Sequence, residues 1–267
     1  MIFDGHKRAE RIQEELQKRV GTSATKLVVI SVGALPVSLR YINRKIAFGE
    51  RIGVNVVHTA LSESISDEEL LDAIREIQDN RAVQGIIVQL PLPSHIDRDR
   101  ILDSIDPMKD ADALGNRALV LAPVVCAIQD VIETNDIHLD GNIVVVGEGK
   151  LVGAPVIEWL SGAVTDTGDV SVLNQESKDI ASILKDADII ITGVGVPHLI
   201  TPDMIKTGVV IIDVGTSEAE GKLLGDASPE CKEKSILFTP VPGGIGPLTV
   251  VFLFKNLLDL RDKQKSL

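Results

Sequence analysis

Aromatic side chains are scarce in this 267-residue chain: five Phe, one Trp and one Tyr make up 3% of it. A core must therefore be assembled from Val, Ile, Leu and Ala, the residues of buried parallel strands covered by helices. Cysteine is nearly absent too. Cys126 and Cys231 lie far apart and form no CxxC or Cys/His cluster, which argues against a disulfide framework and leaves no metal site to expect. No apolar run approaches the roughly 18 residues of a membrane span. Asp4 and Glu10 stand where a secretory leader needs a basic and then an apolar stretch. Basic charge is in deficit, with a formal net charge of −12, which argues against a nucleic-acid backbone as partner. The expectation is a cytoplasmic protein with neither nucleic acid nor membrane as partner.

What the chain does contain is an unusual segment near its C-terminus. Thr239-Pro240-Val241-Pro242-Gly243-Gly244-Ile245-Gly246-Pro247-Leu248-Thr249 holds three prolines and three glycines. Proline fixes φ, and glycine lets backbone approach a ligand where a Cβ would collide, so the pair builds a stiff wall at contact distance. Such a wall suits a flat substrate, or it merely punctuates strand and helix.

Periodicity predicts helix over Asp4–Val20, strand over Lys26–Val32, helix over Val37–Ile52 and an extended stretch over Val54–Thr59. A helix over Asp67–Asp79 capped by Ser66, and a strand over Gly85–Leu90, complete the first series. A helix over Val120–Thr134 leads to a break at Asn135–Gly141. The second series has strands at Asn142–Val146, Val170–Leu173, Ile189–Thr192, Val209–Val214 and Ile236–Phe238. Such alternation implies α/β architecture with parallel sheets and right-handed crossovers. The expected division is 1–118 and 119–246, with a last helix over 247–263 returning to the first domain.

In the second series a strand runs into Gly147-Glu148-Gly149-Lys150-Leu151-Val152-Gly153, and an apolar helix follows. Free N–H groups and the helix dipole at such a turn attract a pyrophosphate, although the spacing is GxGxxxG and not the usual fingerprint. The next strand ends at Asn174-Gln175-Glu176, where a Rossmann domain reads the adenosine ribose. A carboxylate there accepts from a 2′-hydroxyl, whereas a 2′-phosphate wants arginine, so Glu148 and Glu176 favour the hydroxyl, while Lys150 and Lys178 offer charge, or all four are solvated surface residues. Gly195 and Thr216 follow the next two strands, at the ends where ligands sit. In the first series Tyr41 and Lys45 are four apart on a helix and share a face. Gln89 ends a buried strand, and the Leu90-Pro91-Leu92-Pro93 after it cannot continue a ladder. Lys109-Asp110-Ala111-Asp112 places acids on a turn, where a carboxylate either accepts from an amino-pyrimidine edge or caps the next element.

In order, Pro36–Tyr41 with Lys45, Val88–Pro93, Lys109–Asp112, Val152–Pro155, Ile212–Gly215, Gly225-Asp226 and Thr239–Thr249 resemble the methylenetetrahydrofolate dehydrogenase/cyclohydrolase family over nearly the whole chain. The resemblance implies an N-terminal α/β folate domain, a C-terminal Rossmann-type doubly wound parallel sheet, and an active-site cleft between them. It also implies a homodimer of one-carbon metabolism, serving purine biosynthesis. Such enzymes oxidise 5,10-methylenetetrahydrofolate with NADP or NAD and hydrate the methenyl product to 10-formyltetrahydrofolate. Carried over, Lys45, Gln89, Tyr41 and Asp112 are catalytic, and Tyr41, Gln89, Leu90, Pro91, Asp112, Pro242, Gly243 and Gly244 bind the tetrahydrofolate substrate. Gly147, Glu148, Gly149, Lys150, Val152, Gly153, Gln175, Glu176, Gly195 and Thr216 bind the dinucleotide; no metal is implied.

The chain departs from the family pattern in four places. Glu148-Gly149 replace an Arg-Ser pair, and Asn174-Gln175-Glu176 replace His-Ser with a basic residue. Pro123-Val124-Val125-Cys126 stand for Pro-Cys-Thr-Pro, and Ala113 for a glycine. The first two remove groups that hold a 2′-phosphate and so point to NAD beside or in place of NADP. Three other readings compete: a cyclohydrolase with weak or lost dehydrogenase activity, a non-catalytic folate- or nucleotide-binding module, and a short-chain dehydrogenase. In the last, the Tyr-x-x-x-Lys pair lies after the glycine turn; here it lies before.

Overall fold

Two all-parallel sheets organise the chain, each centred on a strand with almost no exposed surface. The computed structural model describes residues 1–22, 24–164, 167–219 and 221–266, the side chain of Val37 excepted. The chain divides into Glu10–Pro123 with Val250–Leu267, here the first unit, and Met1–Ala9 with Val124–Thr249, the second. This differs from the expected division at the N-terminus. Ile2 bridges to Phe238, the Phe3 amide donates to the Phe238 carbonyl at 2.9 Å, and the Gly5 amide to that of Gly243 at 2.8 Å. These ladder-type bonds tie the first residues to the second unit.

In the first unit β1 (Lys26–Val32) pairs in parallel with β2 (Asn55–Leu61) and β3 (Gly85–Val88), in the order β2-β1-β3. Helices α2 (Pro36–Ile52) and α3 (Asp67–Asp79) make the crossovers; α1 (Gly5–Val20) belongs to this unit from Glu10 onward, and α4 (Arg98–Asp103) follows β3. Alternation sends Val28, Ile30 and Val32 to one face, where they pack with Leu70, Ile74, Ile86 and Ile101. Pro36 opens α2, and Gly53 closes it at φ 83°. Ser66 caps α3 as its sequence predicts: its hydroxyl accepts from the Glu69 amide at 3.3 Å, and Glu69 accepts the Ser66 amide at 2.9 Å. β3 stops at Val88, two residues before the predicted end, where Leu90-Pro91 forms a cis peptide.

The second unit holds β4 (Asn142–Val146), β5 (Asp169–Leu173), β6 (Ile189–Thr192), β7 (Val209–Asp213) and β10 (Ser235–Phe238), in the order β10-β7-β6-β4-β5. Helices α5 (Pro123–Thr134), α6 (Gly153–Ala163) and α7 (Ile180–Asp186) belong to it, and β8 (Ser217–Ala219) and β9 (Lys222–Leu224) form a small hairpin. The hairpin and the short helices α4 and α7 carry too few residues for a period to show. α5 starts at Pro123 and not at Val120, since proline is preorganised for a first helical turn. Strand order reverses between β4 and β6, so the loops leaving their carboxyl ends diverge and open a crevice. The last helix, α8 (Ile245–Gln264), starts two residues before the predicted Pro247.

The turn after α4 is held by charge. Lys109, buried, donates its ammonium to the carbonyls of Gln78 at 2.6 Å and Asn80 at 3.1 Å, at the C-terminus of α3, where a cation is favoured. Asp110 accepts the amides of Ala113 and Gly115, each at 2.9 Å. Asn256 of α8 donates to the carbonyls of Ala111 at 3.2 Å and Leu121 at 2.8 Å. Ala113 sits at φ 53°, the left-handed region where a Cβ costs about 1 kcal/mol. Ala113→Gly is therefore expected to raise the free energy of unfolding in urea by about 1 kcal/mol. A decrease would show that the methyl group packs favourably enough to outweigh the strain.

Candidate active site

Helical spacing puts Tyr41 one turn before Lys45 on α2, and β3 delivers Gln89 at its carboxyl mouth. The Gln89 amide N–H still completes the ladder, donating to the Ile30 carbonyl at 2.8 Å, so the residue's position is fixed by the sheet. Its side-chain NH₂ donates to the Leu90 carbonyl at 2.9 Å. That leaves Oε1 to accept from Lys45 Nζ at 2.9 Å. Lys45 is half-buried. Burial pushes its pKa below the ordinary lysine value, and the negative charge of Asp112 partly opposes the shift. Asp112 is half-buried on the turn that Asp110 pins. Burial, with a contribution from Asp112, raises Asp110 to about 6. Lys45, Gln89 and Asp112 are thus brought together. Tyr41 is exposed on the same helix and carries the Arg44 guanidinium 5.6 Å from its ring centroid. Leu90 is half-buried and Pro91 exposed.

The second unit offers a different chemistry at its strand ends. Gly147, at φ 97°, turns the chain out of β4, and its amide donates to the Leu173 carbonyl at 2.7 Å. A Cβ on Gly153 would collide with the Gly147 carbonyl, so α6 starts directly against the turn. Val152 is the N-cap of α6 and offers no side-chain acceptor, while a Cβ on Gly149 would meet nothing within 4 Å. A helix N-terminus without a side-chain cap, next to an open glycine, fits a pyrophosphate. Glu148, Lys150, Gln175 and Glu176 are exposed. Asn174 donates to Glu148 Oε1 at 3.3 Å and accepts the Glu176 backbone amide at 3.0 Å. Gly195, at φ 76°, and the exposed Thr216 lie close, the Thr216 carbonyl 3.6 Å from where a Gly195 Cβ would stand. The residues expected to bind a dinucleotide thus occupy neighbouring loops after β4, β5, β6 and β7, and their donor set fits NAD(P).

Two residues here carry a structural load that sequence patterns did not assign. Asp226, fully buried, accepts from Thr192 Oγ1 at 2.8 Å and from the amides of Val194, Gly195 and Val196 at 2.7, 2.9 and 2.9 Å. Asp213 accepts the amides of Gly215 at 2.9 Å and Ala227 at 2.8 Å. Burial, with the nearby Asp226, pushes Asp213 up to about 7. The available signal was the glycine beside each acid: a Cβ on Gly215 would strike Asp226, and one on Gly225 would strike Asp213.

The Pro/Gly segment belongs to this unit as far as Thr249. Thr239 Oγ1 accepts the Asp213 amide at 2.7 Å, and the Gly244 amide donates to the Pro240 carbonyl at 2.7 Å. A Cβ on Gly5 would overlap the carbonyls of Gly243 and Gly244, so the start of α1 lies against this turn. Pro242 is exposed after a cis peptide, Gly243 half-buried and Gly244 buried. Among the described residues no cluster of His, Cys, Asp and Glu is arranged to hold a metal.

Comparison with known proteins agrees with both halves. Residues 3–112 match the family model of the tetrahydrofolate dehydrogenase/cyclohydrolase catalytic domain, and residues 123–265 that of its NAD(P)-binding domain. The bifunctional protein FolD of Nautilia profundicola is 39% identical over 272 residues, covering 96% of this chain and 95% of that protein. Its counterpart in Aquifex aeolicus is 38% identical, covering 97% and 94%. The crystal structure of the bifunctional FolD enzyme of Campylobacter jejuni superposes with a TM-score of 0.94 at 33% identity, over 99% of both chains. The Trypanosoma brucei enzyme, solved with NADP and an inhibitor, gives 0.92 at 28% identity over 100% of this chain and 99% of that one. Matched by both domain models in their order and by relatives along its whole length, the chain belongs to the tetrahydrofolate dehydrogenase/cyclohydrolase family, enzymes that are oxidoreductase and hydrolase in one polypeptide.

Proposed function

We propose that Lys45 is the proton-transfer group of a 5,10-methenyltetrahydrofolate cyclohydrolase, and that the same chain is a 5,10-methylenetetrahydrofolate dehydrogenase whose dinucleotide sits on the 147–153 turn. The observation that carries the first part is the bond from Lys45 Nζ to Gln89 Oε1, made by an amine that burial holds below its ordinary pKa. A lysine whose free-base form is accessible takes a proton from water as the oxygen adds to the cationic methenyl carbon. The adduct's hydroxyl then gives up its proton as the carbonyl forms, the bond from that carbon to the second ring nitrogen breaks, and that nitrogen takes a proton; 10-formyltetrahydrofolate is left, and the one proton held by Lys45 passes to solvent. A cationic substrate disfavours the ammonium further. Gln89 aims the amine. Asp112 is proposed to accept from the amino-pyrimidine edge, with Tyr41, Leu90 and Pro91 lining the substrate. Pro242, Gly243 and Gly244 are proposed as ligand-facing backbone.

The nicotinamide cofactor, when bound, accepts the hydride of the methylene carbon. Around it this chain's residues bind and orient: Gly147, Gly149, Val152 and Gly153 receive the pyrophosphate at the start of α6. Gln175, Gly195 and Thr216 flank it, and Lys150 supplies local positive charge. Glu148 and Glu176, on the loops after β4 and β5, suit a ribose 2′-hydroxyl and repel a 2′-phosphate. NAD is accordingly proposed as a substrate as good as NADP or better. The setting proposed is a cytoplasmic homodimer feeding 10-formyltetrahydrofolate to purine synthesis. Neither Cys126 nor Cys231 is in a disulfide, which supports a reducing compartment, and among the described residues no helix is long and apolar enough to cross a membrane.

Lys45→Ala is expected to lower methenyl hydrolysis by at least about 100-fold with the unfolding midpoint retained; unchanged hydrolysis would refute the assignment. In the unaltered enzyme, hydrolysis corrected for the uncatalysed reaction should rise with pH and level off below the free-lysine value of 10.5, since the base form is the active one. A rate that falls as pH rises across this range would reverse that role. Parallel assays of methylenetetrahydrofolate oxidation should give NAD a kcat/KM equal to or above that of NADP. A preference for NADP of about ten-fold or more, worth about 1.4 kcal/mol, would refute the reading of Glu148 and Glu176.

A further inference from the structure

One carboxylate in the second unit takes more donors than sheet packing calls for. Asp226 is buried under the loop after β6 and divides four donors between its two oxygens: Thr192 Oγ1 and the Val194 amide on Oδ2, the Gly195 and Val196 amides on Oδ1. The loop it holds has its side chains outside, with Val194 and Val196 exposed. Three successive amides therefore point inward at a charge while their residues face solvent. Without that charge, such an array of N–H groups is itself an anion site, and would compete for a pyrophosphate with the adjacent helix N-terminus.

The same loop also touches the glycine turn. A Cβ on Gly147 would stand 3.0 Å from Val194 Cγ2, and one on Gly193 would collide with the Val152 side chain. Val152 is the N-cap of α6, the residue whose placement aims the first helical amides. We infer that Asp226 is a positioning residue for dinucleotide binding: by gathering the amides of Val194, Gly195 and Val196 it seats the loop against Gly147 and Val152, and so sets the geometry of the pyrophosphate seat. Asparagine is not equivalent, because its amide has a single acceptor oxygen and its NH₂ would face two N–H donors. Asp213 supports the arrangement from the next strand. Gly215 and Gly225 leave room for both carboxylates, and the Gly215 amide bound to Asp213 shapes the chain leading to Thr216.

The inference rests on the second unit's being the NAD(P)-binding one, as its family model describes it. Calorimetric titration of full-length protein with NAD, and with NADP, tests it. Asp226→Asn is expected to weaken dinucleotide binding by about ten-fold, since two of the gathered amides lose their acceptor and the loop is no longer seated against the glycine turn. Amide exchange of residues 194–196 should accelerate, and the KM for the folate substrate should stay near that of the unaltered enzyme. Should Asp226→Asn fail to fold, the nearly isosteric Thr192→Val removes one donor and is expected to weaken binding by roughly three-fold, with the same exchange signature. A lower unfolding midpoint with unchanged dinucleotide affinity in the folded variant would overturn the proposal and leave Asp226 a structural staple. If the unaltered protein bound neither dinucleotide, the domain assignment itself would fall, an outcome separable from the first.

Discussion

Parallel pairing of apolar strands is the constraint from which both sites follow. β1 and β4 are the inner strands of their sheets, paired on both sides, and nearly all of their residues are buried. A polar side chain inside such a ladder would have no water to turn to, so polar groups collect where strands end. Because all strands in a sheet run the same way, their carboxyl mouths lie side by side. Gln89 stands at the mouth of β3, the glycine turn at that of β4, Thr192 at the end of β6 and Asp213 at the end of β7.

Each mouth also needs a device that keeps its polar group aimed. At β3 it is the bond from the Gln89 side-chain NH₂ to the Leu90 carbonyl, which leaves Oε1 for Lys45. At β6 and β7 it is a pair of buried aspartates, accommodated because Gly215 and Gly225 lack a Cβ. Burial shifts the pKa values of three ionisable groups in the two units. Lys45 is lowered, and Asp110 and Asp213 raised, mainly by burial in each case. Among the described residues no buried side-chain nitrogen or oxygen lacks a partner, so these shifts arise within satisfied hydrogen-bond networks.

Several features were legible without coordinates. The Ser66 cap, the strand cores and the shared face of Tyr41 and Lys45 depend on neighbours within one helical turn or one strand, and local pattern encodes those directly. Pro36 and Gly53, which bound α2, are signals of the same kind. The short elements α4, α7, β8 and β9 escaped because they are too brief for a period to emerge. Ala113, noted as a departure where the family pattern has glycine, proved to stand at positive φ, so an unusual residue marked an unusual backbone.

By itself the sequence determined the α/β class, the parallel character of the sheets, the family, and the residue types at the strand ends. All of these are local or additive properties of the chain. Tertiary structure alone decided the rest: that residues 44 positions apart, Lys45 and Gln89, meet at hydrogen-bond distance, and that Asp226 reaches back 30 to 34 residues to hold the loop after β6. It also decided that the first residues pair with β10, more than 230 positions away. Such contacts are set by sheet order and crossover geometry, which no local pattern specifies. The side-chain pKa shifts follow in turn, since desolvation exists only once the surrounding chain has packed.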